Sequence, residues 1–263
     1  MKIGVCAALD QLPLLERLGY DYVEANFGWL TSLDEAEFCR RSQEVERSSL
    51  AVEAYNCFFK GDMVLYAPNG DQDSLLREIR AYAERGLARA SAWGGKVAVI
   101  GSGNARKMQE WMTCEEADRQ FARVLNVCGE VADRYGMKIA VEPLSLRECN
   151  YIHTVAEGAA VAKQSGSPAV GVMVDFFHHH SNGDDLAALP NYADILYHAH
   201  YARPNDRLAP MMGDESALAA VAALLRQCPK AERISLECRW GTEFEAAVTT
   251  ARPLMDIFKG NDQ

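Results

Sequence analysis

The sequence predicts an α/β fold in which all 263 residues form a single (β/α)8 barrel. Short runs of β-branched and apolar residues alternate with longer segments of helical period, and eight such cycles follow one another along the chain. A barrel of eight βα units typically needs about 250 residues, so the length fits one domain spanning residues 1–263. Eight repeats favour a closed barrel over an open sheet.

The predicted strands are the short apolar runs that open each cycle, where β-branched side chains suit a buried sheet. In chain order they are Ile3 to Ala7, Tyr22 to Ala25, Val52 to Cys57, Lys96 to Ile100, Lys138 to Val141, Gly171 to Val174, Leu196 to His200 and Ile234 to Glu237. Active-site groups of such barrels lie at the carboxyl ends of the strands, so the residues that close these runs are the functional candidates.

Helical periodicity predicts the segments that connect the strands. They include Asp73 to Ala92, Cys114 to Tyr135, Val155 to Gln164, Glu215 to Gln227 and a last helix near Phe244 to Phe258. Glycines are expected to mark helix ends, where a left-handed backbone conformation is needed. The glycines in question are Gly19, Gly86, Gly94, Gly136 and Gly166.

Two connections are longer than the rest, Phe59 to Gln72 after strand three and Gly101 to Thr113 after strand four. Both belong to the end of the barrel that carries active-site loops, so we expect them to cover a substrate, with simple surface insertions as the alternative. The stretch Gly101 to Lys107 is glycine-rich and ends in two cations. It lacks the ending of a phosphate-binding P-loop, which makes phosphate binding there the weaker interpretation.

Composition limits the classes of function. Apolar residues make up 49% and charged residues 24%, and no apolar run approaches the roughly 20 residues of a membrane span. A net charge of −10 and a pI near 5.1 would repel a long polyanion, so we expect small neutral substrates and neither nucleic-acid nor membrane partners. The first residues enter a strand without a secretory leader, and the eight cysteines form no Cys-x-x-Cys pair. Both features predict a cytoplasmic protein with free thiols.

Four strand ends each deliver one carboxylate or imidazole: Glu142, Asp175, His200 and Glu237. They are separated by 33, 25 and 37 residues, about one βα unit each time, so consecutive strands would converge on one ion. Carboxylates gathered in a barrel mouth would repel one another without a cation. The oxygen-rich set with one imidazole predicts a single divalent metal, Mn²⁺, Mg²⁺ or Co²⁺, with Zn²⁺ as a further candidate.

This donor set favours proton transfer next to a carbonyl. A metal that clamps a carbonyl and a neighbouring hydroxyl oxygen makes the intervening C–H acidic and stabilises the resulting enediolate. Glu142 and Glu237 come from strands five and eight and are expected to face each other across a bound sugar as catalytic acid and base. That arrangement favours epimerisation. If one base returns the proton to the adjacent carbon, the same site performs aldose-ketose isomerisation.

With these features the chain resembles the xylose isomerase-like TIM barrels, a family of divalent-metal sugar isomerases and epimerases that includes the ketose 3-epimerases. The resemblance covers nearly the whole chain and implies Glu142, Asp175, His200 and Glu237 as metal ligands. It further implies that Glu148, His178 and Arg207 hold the substrate's terminal oxygens. The segments that carry it are Glu142-Pro143-Leu144, Val174-Asp175-Phe176-Phe177-His178, His198-Ala199-His200 with Pro210 downstream, and Leu236-Glu237-Cys238.

The chain departs from the family pattern in two places. One additional residue lies between His200 and Pro210, so Arg203 is an alternative to Arg207. Ser145-Leu146 stands where ketose epimerases commonly carry Asn-Arg, which leaves the identity of the sugar open.

Several side chains near the strand ends have two interpretations. His179 and His180 are expected in a solvated loop. Glu24, at the end of strand two, is expected either to hold a pocket residue or a substrate hydroxyl or to form a buried structural ion pair. Aromatic residues past the strand ends are expected to stack on sugar or to pack generically. They are Trp29, Phe58, Phe59, Trp111, Phe177, Tyr201 and Trp240.

Other functions are compatible with parts of the pattern. A lyase of the inosose dehydratase type would use the same acidic C–H chemistry but lose water. An abasic-site endonuclease would need about three zinc ions and further histidines at the ends of strands three and four, where this chain has Asn56-Cys57 and Ile100-Gly101. A barrel that has lost catalysis and acts as a sensor is a third alternative, against which the intact ligand set argues. We expect a small-molecule sugar as partner, and homo-oligomerisation stays open.

Overall fold

A computed structural model describes residues 1–68 and 72–260, and the structural statements below concern these residues. Eight parallel strands close into a barrel in the order β1 to β8, each hydrogen-bonded to its neighbours in sequence and β8 to β1. The predicted (β/α)8 TIM barrel is thereby confirmed. The strands are β1 (Lys2–Cys6), β2 (Tyr22–Asn26), β3 (Ala51–Asn56), β4 (Val97–Ile100), β5 (Lys138–Val141), β6 (Val170–Asp175), β7 (Leu196–Tyr201) and β8 (Arg233–Leu236).

The helices surround the barrel, and the five that periodicity predicted begin at the predicted residues. In chain order the α-helices are α1 (Leu12–Leu18), α2 (Phe27–Ser32), α3 (Glu35–Glu46), α4 (Asp73–Ala92), α5 (Cys114–Arg134), α6 (Val155–Gln164), α7 (Phe176–Asn182), α8 (Glu215–Leu225) and α9 (Phe244–Leu254). Short 3₁₀ helices cover Leu9–Gln11, Leu186–Tyr192 and Met255–Phe258. Part of the predicted loop from Phe59 to Gln72 lies outside the described residues.

One predicted helix end is wrong. Gly19, Gly94, Gly136 and Gly166 have positive φ angles, as a left-handed helix terminus requires, whereas Gly86 lies inside α4. A Cβ atom on Gly86 would lie 2.3 Å from the Phe27 ring. Gly86 is therefore a close-packing position between α4 and α2, which the chain pattern alone does not distinguish from a terminus.

The core has two layers. The larger layer packs the outer faces of the strands against the helices, with Ile3, Val23 and Leu236 fully buried in it. The smaller layer fills the barrel interior around Tyr22, Val99 and Met173. In β7, Ala199 belongs to the outer layer, so the alternation of a strand turns His198 and His200 into the barrel.

Two further properties bear on the sequence predictions. All eight cysteines fall within the described ranges, and each is free of a disulfide. Among the helices described, none is long and apolar enough to cross a membrane.

Candidate active site

The four predicted metal ligands meet at the carboxyl end of the barrel. Glu142 follows β5, Asp175 ends β6, His200 lies in β7, and Glu237 follows β8. His200 Nδ1 is 3.5 Å from Glu142 Oε1 and 3.7 Å from Glu237 Oε2. Oxygen atoms of Glu142, Asp175 and Glu237 lie within 4.8 Å of one another. The closure of the barrel thus brings together side chains that are up to 95 residues apart, from 142 to 237.

Asp175 has a separate task for each of its carboxylate oxygens. Oδ1 caps α7 by accepting hydrogen bonds from the backbone N–H groups of Phe177, at 2.7 Å, and His178, at 3.3 Å. Oδ2 is buried and has no hydrogen-bond partner. The cap fixes the carboxylate plane, so the second oxygen is held pointing at the other ligands.

Contacts with Arg106 and Gly101 fix the position of Glu142. Its backbone carbonyl accepts a hydrogen bond of 2.7 Å from Nη2 of the fully buried Arg106, and its Oε2 packs against Gly101 so closely that a Cβ there would be 2.0 Å away. Its other oxygen, Oε1, is buried without a hydrogen-bond partner. Gly101 and Arg106 therefore shape this carboxylate, and they are not arranged as the phosphate cradle considered for the segment from Gly101 to Lys107.

Three buried atoms of the cluster lack a partner: Glu142 Oε1, Asp175 Oδ2 and His200 Nδ1. A buried polar atom without a partner is costly, and two carboxylates with nothing between them repel each other. A divalent cation between these atoms would satisfy all three. Carboxylate oxygens with one imidazole nitrogen are a suitable donor set for Mn²⁺, Mg²⁺ or Co²⁺, so the residues present fit a metal site.

Glu24, the third residue of β2, orients the imidazole of His200. Its two oxygens lie 2.9 Å from His200 Nε2 and 2.8 Å from His198 Nε2, and all three side chains are buried. Burial by itself would raise the pKa of Glu24, but the two imidazoles outweigh it and hold that pKa well below its usual range. Because an ionised Glu24 accepts a hydrogen bond from the Nε2–H group of His200, Nδ1 of the same ring faces the other ligands.

Glu237 accepts hydrogen bonds from two side chains. Asn56 Nδ2 donates to Oε1 at 3.1 Å, and Arg207 Nη2 donates to Oε2 at 2.8 Å. Burial opposes ionisation, but His200 and Arg207 outweigh it and lower the pKa of Glu237. Glu237 is thereby held as a carboxylate.

The pKa values of Glu142 and Asp175 are shifted upward, opposite to that of Glu237. Burial raises the pKa of Glu142, and the charge of Glu237 adds to it. Burial and the charges of Glu237 and Glu142 raise the pKa of Asp175 to about 8. Without a cation, the cluster therefore disfavours a negative charge on Glu142 and Asp175 more than on Glu237.

Glu148, His178 and Arg207 line one wall beside this cluster. Arg207 Nη1 donates to Glu148 Oε1 at 2.9 Å, and the guanidinium lies over the Phe177 ring at 4.9 Å. Arg207 has a positive φ of 59°. Residues other than glycine rarely adopt this backbone conformation, and it is often found at functional sites. Arg203 is instead paired with Asp206 in the same loop, so the structure places Arg207 and not Arg203 at the cluster.

His178 is buried beside the cluster and faces it with one ring nitrogen. The backbone N–H of Ser145 donates to its Nδ1 at 3.3 Å, and burial lowers its pKa to about 3. The neutral ring therefore carries its proton on Nε2, which lies 3.7 Å from Asp175 Oδ2 and 3.8 Å from Glu148 Oε2. This N–H faces the space in front of the carboxylates, where it can donate to a substrate oxygen.

Two expectations about neighbouring residues need correction. His179 and His180 lie on α7 and not in a loop: His179 is 7% exposed and its Nε2 faces Asp184 Oδ2 at 3.7 Å, whereas His180 is solvent-exposed as expected. Among the aromatic residues past the strand ends, Phe58, Phe59 and Tyr201 are buried in the outer core, so generic packing applies to them. Trp111 is exposed, whereas Trp29 and Trp240 line a cleft beside the site.

Sequence reasoning did not single out Asn56, His198 or Arg106 as parts of the site. A signal existed for His198, because it precedes His200 by two positions in a strand and so shares its face. Asn56 ends β3 and could have been included by the strand-end rule. No local pattern distinguishes Arg106 from a surface cation, since only its burial in the folded chain reveals its role.

Comparison with known proteins gives the family. The family model of the xylose isomerase-like TIM barrel matches residues 12–257. An inosose isomerase of Halalkalibacterium halodurans is 29% identical over 194 residues, 71% of this chain and 63% of that protein, so the chain spans a little under two thirds of that relative.

Two solved structures share the fold over nearly their full lengths. A 3-keto-D-glucoside 4-epimerase from E. coli superposes with a TM-score of 0.78 at 21% identity, covering 98% of this chain and 99% of that one. An L-ribulose 3-epimerase has a TM-score of 0.81 at 18% identity, with 98% and 95% covered. The family match extends over almost all of the residues that form the barrel and its four converging side chains, and the chain therefore belongs to the xylose isomerase-like TIM barrel family.

Proposed function

We propose that this protein is a divalent-metal-dependent sugar isomerase or epimerase that moves a proton on a carbon next to a carbonyl. The observation that carries the proposal is the set of three partnerless buried atoms, Glu142 Oε1, Asp175 Oδ2 and His200 Nδ1, with Glu237 at their side. His200 Nδ1 and Glu142 Oε1 approach only to 3.5 Å and Asp175 Oδ2 has no hydrogen bond, so the members do not satisfy one another as a hydrogen-bonded ion pair would. The inosose isomerase and the two epimerases named above support the reaction class.

Glu142, Asp175, His200 and Glu237 would hold the cation. When bound, a divalent ion draws electron density from a carbonyl oxygen and so makes the neighbouring C–H acidic. Mn²⁺, Mg²⁺ and Co²⁺ are the expected ions, with Zn²⁺ as a further candidate, since the set has no thiolate. His200 owes its fixed orientation to Glu24, which is the arrangement that metal-binding histidines need.

Glu237 and Glu142 would move the protons. Glu237 is held ionised by Arg207 and Asn56, so it is suited to take a proton from the sugar carbon. Glu142 follows β5 and Glu237 follows β8, so Glu142 approaches the cluster from a different side of the barrel and is placed to deliver a proton to the other face of the sugar. Delivery to the same carbon inverts it, and delivery to the next carbon moves the carbonyl.

His178, Arg207 and Glu148 would position the substrate. His178 Nε2–H is a neutral donor facing the carboxylates, and Arg207 is a fixed cation stacked on Phe177. Glu148 is partly exposed and paired with Arg207, so its free oxygen can accept from a sugar hydroxyl. β3 and β4 end in Asn56 and Ile100, so they bring no histidine for the additional zinc ions of an abasic-site endonuclease.

The test combines metal content with proton exchange. Metal-stripped protein is loaded with Mn²⁺, and the bound ion is counted by mass spectrometry in wild type, in Asp175→Asn and in Asp206→Asn. The Asp206 variant is the matched control, because that carboxylate lies in a loop on the same face but is paired with Arg203. We expect about one ion per chain in wild type and control and a strong loss in Asp175→Asn.

The loaded enzyme is then incubated with a panel of ketoses, aldoses and inososes in heavy water and followed by NMR. An isomerase or epimerase yields a deuterated sugar of unchanged formula. A product that has lost water would overturn the proposal in favour of a lyase. Equal metal content in all three proteins would show that Asp175 is not part of a metal site and would contradict the proposal.

A further inference from the structure

We propose that the natural substrate is a carbonyl sugar bearing an uncharged second group, as in a glycoside, and that this group lies in an aromatic cleft beside the proposed metal site. The inference rests on the proposed function, because it assigns the reacting ring to that site. The cleft is defined here by Trp29, Trp240, Phe244, Asn56 and Arg41, together with the turn that contains Leu9, Asp10 and Gln11.

The cleft adjoins the reaction site on one side. Its wall includes Cys6 and Asn56, which end β1 and β3, and Glu24 of β2. Asn56 also donates to Glu237, and one atom each of Cys6, His200 and Glu237 lies within 4.8 Å of the others. A sugar ring held at Glu237 therefore has a direct continuation into the cleft. Arg207, which donates to the other oxygen of Glu237, contacts Glu148 and Phe177, and none of these three residues lines the cleft.

The size of the cleft indicates a substrate larger than one sugar ring. Its volume is about 700 Å³, and this space does not include Glu142, Asp175 or His200 as lining residues. Pockets that enclose a drug-sized ligand span about 300–1,000 Å³. The reacting ring would be placed at the carboxylates, so the cleft is additional room that a free monosaccharide would leave to water.

The chemistry of the lining favours an uncharged ring. Trp240 and Phe244 form an edge-to-face pair with centroids 4.9 Å apart, and the partly exposed ring of Trp29 adds a further aromatic surface. Aromatic faces stack on the C–H faces of sugars and on other rings. Asn56, Gln11 and Asp10 add polar groups that can accept or donate hydrogen bonds.

A phosphate does not fit this lining. The cation of the cleft, Arg41, already has its guanidinium bound by Glu37 at 2.9 Å and by Glu44 at 2.8 Å. Asp10 adds a negative charge to the same wall. A dianionic group would meet a neutralised cation and a carboxylate, so sugar phosphates are expected to bind poorly here.

The test compares matched substrates in the Mn²⁺-loaded enzyme. A keto-glucose, its methyl glycoside, its phenyl glycoside and its 6-phosphate are assayed by deuterium incorporation. We expect kcat/KM to be about tenfold higher for the phenyl than for the methyl glycoside, with the phosphate the poorest substrate. Trp240→Ala should bring the ratio of phenyl to methyl glycoside close to one, whereas Trp111→Ala, at an exposed tryptophan outside the cleft, should keep it.

A binding experiment separates this inference from the proposed function. Phenyl β-D-glucoside, which has no carbonyl to react, is titrated while tryptophan fluorescence is recorded. The signal should disappear in a Trp29→Phe and Trp240→Phe double variant and persist in Trp111→Phe. Deuterium exchange with equal kcat/KM for free sugar and glycosides would overturn the cleft assignment and leave the proposed function standing. Fluorescence binding without exchange on any carbonyl sugar would overturn the proposed function alone.

Discussion

Replacing Gly101 by alanine should damage the proposed site while leaving the fold intact. A Cβ at this position would lie 2.0 Å from Glu142 Oε2 and 3.1 Å from its carboxyl carbon. Contacts of real Cβ atoms stay at or above 3.0 Å, so the carboxylate has to move by about 1 Å, the scale of misplacement that costs roughly 10²-fold in rate. The atom displaced is the end of a flexible side chain, and the φ angle of Gly101 is not in the left-handed region, so stability should fall by about 1 kcal/mol, the lower end of the usual cost of overpacking.

The assay measures three quantities in parallel: Mn²⁺ affinity by calorimetry, deuterium exchange into a sugar substrate, and thermal unfolding. Gly61→Ala is the matched control, because its Cβ would meet only Asn104 Nδ2 at 3.7 Å, an ordinary contact. For Gly101→Ala we expect a lower affinity for Mn²⁺ and deuterium exchange that is about a hundredfold slower than in the wild type. For the control we expect wild-type values. If Gly101→Ala exchanges deuterium at the wild-type rate, Glu142 is not held where the proposed acid must be.

Three further predictions address the other parts of the site and the base of the barrel. Glu237→Gln should retain metal but lower turnover by roughly 10² to 10⁴, the usual contribution of a general base, and near-normal deuterium exchange in that variant would exclude Glu237 as the base. Arg207→Ala should leave about one metal ion per chain while weakening substrate binding, because a guanidinium cannot ligate a cation. Arg203→Ala should leave both metal content and substrate binding unchanged. The reverse result would assign substrate binding to Arg203. At the other end of the barrel, Glu53 accepts hydrogen bonds from Lys2 and from Arg233, the latter at 2.6 Å, and although burial alone would raise its pKa, these cations lower it. A depressed carboxyl pKa contributes stability that is present above the unfolded-state pKa of about 4.3 and is lost as the pH falls through the folded-state pKa. The free energy of unfolding of Glu53→Gln should therefore be roughly 2 kcal/mol lower than that of the wild type at pH 7. At strongly acidic pH the two proteins should be equally stable. Denaturation series at several pH values measure this, and a pH-independent difference would contradict the assignment.

The barrel was predictable because its signals are local. Each strand is a short apolar run and each helix a periodic segment, and the helices α4 and α6 coincide with the predicted bounds. The parallel repeat then fixes which end of every strand faces the same side, so the strand-end residues Glu142, Asp175, His200 and Glu237 could be grouped before any distance was known.

Only the tertiary structure decided how these residues are supported. The orientation of the His200 imidazole depends on its hydrogen bond to Glu24, which is 176 residues away in the chain. The position of Arg207 at the cluster depends on a loop conformation in which this residue has a positive φ angle. Gly86 resembled a helix end but is a contact between helices, and His179 resembled a loop residue but is buried. The sequence by itself determined the fold and the set of converging side chains, because periodicity and strand polarity are properties of neighbouring residues. Hydrogen-bond partners, burial and the aromatic cleft arise only when the closed barrel brings distant segments into contact, so the tertiary structure alone decided them.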